Sequence, residues 1–165
     1  MALLSRLVFA AVLFGTAPVF AESEVRQAER FGIGLGAGYA SGVSMKYFLS
    51  DVTSIQGTVG ALGTFDENDG DGIAVGADFL LEMPAFFTHT DIELAWHIGA
   101  GAGIGIVDEP LDDGLTFSVQ GVVGVQVNLV PIPLDVAIEY RPELRIIEDP
   151  EFDLVELGAH VRYYF

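Results

Sequence analysis

In the alternating stretches of this chain, every charged residue falls on the same phase as the glycines, and the opposite phase is apolar. The longest example places Ile92, Leu94, Trp96, Ile98, Ala100, Ala102, Ile104 and Ile106 on one face. Its other face reads Asp91, Glu93, Ala95, His97, Gly99, Gly101, Gly103 and Gly105. A period of two is the strand period, and each Gly inside a helix would cost about 1 kcal/mol relative to Ala. A sheet with these two faces can close in two ways. A soluble barrel would hold the apolar face inside, as lipocalins do; a membrane barrel would turn it outward and hide its charges.

The alternation predicts eight strands, over 30–39, 42–49, 53–65, 73–83, 91–107, 115–129, 133–146 and 154–165. In the first, Phe31, Ile33, Leu35, Ala37 and Tyr39 share the apolar phase. The links then alternate in character. Asp51-Val52, Pro84–Thr90 and Val130–Pro133 lie at one end. Ala40-Ser41, Asp66–Gly72, Asp108–Gly114 and Ile147–Asp153 lie at the other, the last three rich in acids and turn residues.

Two internal features favour the apolar-out arrangement. Glycine crowds the polar phase, where a narrow lumen needs small side chains. The bases Lys46, Arg141, Arg145 and Arg162 also share that phase with Asp78, Glu82, Glu93, Glu139, Glu143 and Glu156, so charges can pair inside. An Arg or Lys on a lipid face would cost roughly 2–4 kcal/mol at mid-membrane. Composition agrees. Hydrophobic residues make up 51% and the net charge is −17, with a mean hydropathy of +0.47. A soluble acidic domain rarely carries so much apolar content, and a helical membrane protein rarely so much charge. The absence of Cys excludes a disulfide framework and a thiolate metal site or nucleophile.

The first 21 residues read as a secretory signal peptide: a short n-region with Arg6, the apolar run Leu7–Phe14, and Val19-Phe20-Ala21 before the cleavage point. Residues 22–165 then form one all-β domain, an eight-stranded antiparallel transmembrane β-barrel of up-and-down meander topology.

The chain ends with Leu157, Ala159, Val161, Tyr163 and Phe165 on one apolar face. This ending resembles the terminal signal of bacterial outer-membrane proteins, with its final Phe and an aromatic two residues earlier. The resemblance makes Tyr163 and Phe165 the assembly signal, read by the barrel-assembly machinery after delivery by periplasmic chaperones. In length, strand number and ending, the mature chain resembles the small OmpA/OmpX-like barrels. That likeness implies fold and an integral place in the outer membrane, with both termini in the periplasm and contact with lipid and lipopolysaccharide. It carries over no functional residue.

Three classes of function remain open. A structural or surface-interaction role, without enzyme activity or a cofactor, needs a lumen plugged by a polar network centred on Glu93, Glu139, Arg141, Glu143, Arg145 and Arg162. A pore needs that lumen to conduct, yet eight strands enclose little more than their own side chains. A lipid-modifying enzyme needs Ser, His and a carboxylate together. The expected topology puts Ser44 and Ser118 near the outer rim and His97 and His160 at the periplasmic side, too far apart. Glu67, Asp69 and Asp71 have the oxygen spacing of an EF-hand calcium loop. Ile73 falls one place early there and Asp78 replaces the final Glu, which favours a solvated acidic loop. The acidic outer links repel nucleic acid.

Overall fold

The computed structural model describes residues 29–62, 72–109, 112–146 and 151–165, and no helix occurs among them. The strands are β1 (Phe31–Ala37), β2 (Ala40–Ser50), β3 (Thr53–Leu62), β4 (Gly72–Glu82), β5 (Phe87–Thr88), β6 (Ile92–Glu109), β7 (Asp112–Leu129), β8 (Leu134–Tyr140), β9 (Glu143–Arg145), β10 (Glu151–Asp153) and β11 (Leu157–Tyr164). Every pairing is antiparallel, and β1 bonds to both β2 and β11, which closes the sheet. The result is an eight-strand barrel in meander order.

Eight barrel strands arise from eleven segments because two are interrupted and one is an appendage. β8 and β9 keep a single register against β7, with Tyr140 opposite Val123 and Glu143 opposite Gln120. Between them stands Pro142, which has no N–H for the ladder; its carbonyl still accepts the Gly121 N–H at 2.9 Å. β10 continues β11 along β9 after an irregular step at 154–156, so the expected link 147–153 contains a strand. β5 folds back onto β6 within the expected turn 84–90.

The first link also differs from expectation. The chain reverses at Gly38-Tyr39, and Ala40 and Ser41 already belong to β2. Gly38 has φ of 146°, a region that side chains disfavour. This turn breaks the alternation, so Tyr39 does not share the outward face of Leu35 and Ala37. It turns into the barrel, where its hydroxyl lies 3.2 Å from Thr116 Oγ1.

Elsewhere the two phases separate as the alternation requires, and the apolar one faces out. Leu35, Ile73, Val75, Ile104, Ile138 and Val161 are exposed, while Lys46, Gln56, Asp78, Glu139, His97 and Arg162 are buried. The glycines of the polar phase are the floor on which these side chains lie. A Cβ at Gly32 would sit 2.6 Å from the Tyr164 ring, and one at Gly36 would sit 2.6 Å from His160 Nδ1. An aromatic cluster lies inside the barrel toward each end. Phe48 stacks on Tyr164 with ring centroids 5.6 Å apart near the termini. Tyr39 packs with Ala40, Ala74 and Leu62 at the far end.

The β1–β11 seam is the closure of the barrel, and at Gly34 the two backbones approach so closely that a Cβ would overlap the Val161 carbonyl oxygen. Gly34→Ala should therefore lower unfolding stability by roughly 1–3 kcal/mol, the usual range for overpacking. A urea midpoint equal to that of the parent chain would contradict this account of the seam.

Candidate functional site

The polar interior is the strongest concentration of chemistry in the described residues, and Glu139 is its centre. Its carboxylate can only accept, and four side chains from around the barrel donate to it. Oε1 receives Gln56 Nε2 at 3.1 Å and His97 Nε2 at 3.0 Å. Oε2 receives His160 Nε2 at 3.3 Å and an Arg141 guanidinium N–H. Both imidazoles thus carry their proton on Nε2 as assigned from this network. Arg141 also grips Asp78, with NH2 at 2.9 and 2.7 Å from its two oxygens. Gln120 donates to the same carboxylate at 2.9 Å.

Toward the termini the pairing continues. Arg162 Nε donates to Asp135 at 3.1 Å, and its NH1 reaches Gln56 Oε1. Tyr164 caps Asp135 with a 2.6 Å hydrogen bond. Lys46 lies 2.7 Å from Glu82 and donates to Gln126 at 3.1 Å, while Ser54 donates to Glu82 at 2.6 Å. These groups alternate along strands for the reason the glycines do: the pleat sends every second side chain inward.

Of the six residues expected to form the network, Glu139, Arg141 and Arg162 fall within one connected set. Glu93 stands apart near the termini, bonded to Asn128 at 2.8 Å. Glu143 is buried beside half-exposed Arg145, 3.2 Å away, toward the far rim. Gln56, Asp78 and Asp135 belong to the connected set and were not among the six. Their phase marked them as inward-facing, but only closure brings their different strands together. Glu67, Asp69 and Asp71 lie outside the described residues, as does the signal segment 1–21. Tyr163 and Phe165 point outward with their rings edge to face, 5.1 Å apart. The Phe165 N–H donates to Phe31 O at 2.8 Å, so the last residue is held in the seam.

One expectation is corrected. Ser44 is not remote from the histidines: its hydroxyl lies 3.0 Å from His160 Nδ1, whose Nε2 faces Glu139. The tilt of strands in a closed barrel brings Ser44 on β2 level with His160 on β11 through β1, with Gly36 between them. The order Ser–His–Glu is that of an acyl-transfer relay, but Ser44 is fully buried. A cavity of about 10 Å³ borders His160, Arg141, Gln120 and Thr58, room for about one water.

Breaking a buried pair by removing one partner costs about 3–5 kcal/mol, because the other charge is stranded. Glu139→Ala strands two buried imidazole donors while Arg141 keeps its pair with Asp78, and should lose stability at the lower end of that range by urea titration; a loss under about 1 kcal/mol would show the donors re-pairing elsewhere. At the far rim, between β10 and β11, burial and the neighbouring Glu143 carboxyl push Glu156 up to about 8. A carboxyl raised in the folded state stabilises fully below its unfolded value, and that stability is lost as pH rises. Unfolding resistance should therefore fall between about pH 4.5 and 8, and Glu156→Gln should flatten that slope.

Compared with protein-family models, curated proteins and solved structures, the chain matches none.

Proposed function

We propose that this chain is an integral outer-membrane barrel of a Gram-negative envelope, with a structural or surface-interaction role and no enzyme activity or cofactor. The observation that carries the proposal is the inverted polarity of the closed barrel. Its outside is a continuous belt of Ile, Val, Leu and Phe, and its inside holds ion pairs. A soluble monomer rarely exposes an apolar patch beyond a few hundred Å², whereas lipid requires such a belt. Closure lets the main-chain groups of the edge strands pair within the sheet, as a hydrocarbon environment demands. The OmpA/OmpX-like resemblance, the signal-like first 21 residues and the Tyr163/Phe165 ending support the same address and route of assembly.

Packing of the interior favours a closed barrel over a pore. Arg141 reaches Asp78, Arg162 reaches Gln56 and Lys46 reaches Gln126 across the lumen, and an aromatic cluster lies inside the barrel toward each end. The burial of Ser44, and a cavity beside its partner His160 with room for about one water, likewise support a hydrogen-bonding role over catalysis.

The purified protein should migrate differently on a gel before and after boiling. Planar bilayers containing it should show no sustained conductance steps, and lipid A from overexpressing cells should keep its mass. Identical gel migration would refute the membrane barrel. Stable conductance would restore the pore, and a lipid A mass change the enzyme.

A further inference from the structure

The outer belt is not uniform. On β3, β4 and β6, Gly57, Ala77 and Ala102 are direct cross-strand neighbours on the outward face. The next outward row toward the termini reads Tyr47, Ile55 and Phe79, and the next toward the far end reads Val59, Val75 and Ile104. Both rows are exposed and project beyond the small residues between them. On the side toward the termini this gives an apolar furrow with a volume of about 790 Å³, floored by Gly57, Ala77, Ala100 and Ala102 and bordered by Phe31, Met45, Tyr47, Ile55 and Phe79.

The furrow reaches the end of the barrel that carries the termini, through Phe31. The residue before it, Arg30, is exposed, and its guanidinium lies 3.5 Å from the Leu49 carbonyl beside the same mouth. Lys46, Arg141 and Arg162 are buried on carboxylates. In a chain of net charge −17, an exposed guanidinium at the mouth of an apolar furrow is complementary to an anionic group attached to a hydrocarbon chain.

We infer that the furrow bordered by Phe31, Tyr47, Ile55 and Phe79 is a binding site for one glycerophospholipid of the periplasmic leaflet, with an acyl chain along Gly57, Ala77 and Ala102 and the phosphate on Arg30. The inference rests on the membrane placement proposed above. An acyl chain is the occupant that the setting supplies at this depth, and Arg30 gives the site a charge that plain belt surface lacks. A surface cation beside a lipid phosphate contributes about 1 kcal/mol, or about fivefold in occupancy.

The test uses the full mature barrel refolded into vesicles of phosphatidylethanolamine and phosphatidylglycerol, extracted in mild detergent and weighed by native mass spectrometry. The parent protein should retain one phospholipid. Ala77→Phe, which fills the furrow floor, should abolish that adduct, and Arg30→Gln should reduce it about fivefold. Ile138→Phe, on the outward face of β8, should leave it unchanged. Insertion is scored separately on the same vesicles by gel shift on boiling and by protease protection. A parent barrel that inserts but carries no adduct, or an adduct that survives Ala77→Phe, overturns the lipid site and leaves the membrane reading standing. A mass of two protein copies that Ala77→Phe abolishes would assign the furrow to a second chain instead. Failure of the parent to insert removes both.

Discussion

The carboxylate of Glu139 connects more of this barrel than any other group described. It accepts from β3 through Gln56, from β6 through His97, from β11 through His160 and from the β8–β9 link through Arg141. In an interior of low dielectric such a centre is costly unless every donor is in place, and strongly ordering once it is. The hydrophobic effect supplies only small clusters, Phe48 with Tyr164 and Tyr39 with Ala40 and Ala74, since most of the large apolar side chains point outward. Lumen polar bonding and the main-chain ladder hold the strands in one arrangement, and the outer belt of apolar side chains stands exposed.

That arrangement explains the glycine. Bulky polar side chains can lie within a narrow lumen only if the neighbouring strands offer flat wall. Tyr164 lies over Gly32, His160 over Gly36, Arg141 against Gly158 and Tyr39 over Gly103. The inward glycines and the charged residues share a phase because they are the two halves of one packing solution. The small residues of the outward face have a different consequence. Gly57, Ala77 and Ala102 leave a furrow beside the bulky row of Tyr47, Ile55 and Phe79, and only the register of β2 to β6 aligns them.

Much of the barrel was legible in the chain. The eight alternating stretches recur as the barrel strands, and the turns at 51–52 and 130–133 lie where turn residues put them. Departures come from single residues with identifiable effects. Gly38 reverses the phase and sends Tyr39 inward, while Pro142 removes one ladder donor without moving the register of β9. The additional segments β5 and β10 are two and three residues long, too short to carry an alternation signal.

The amino-acid order by itself determined the strand period, the sorting of residues into two faces and the presence of counter-charges on one of them, because these depend only on parity along a strand. It carried no information on how the strands stagger around the closed sheet. Closure and tilt decided that Ser44 reaches His160, that Glu139 rather than Glu93 is the centre of the network, and that Gln56 and Asp78 belong to it. They also decided which outward residues adjoin Arg30. Parity is a local property of the backbone, whereas these contacts join residues up to 116 positions apart, and only the three-dimensional register fixes them.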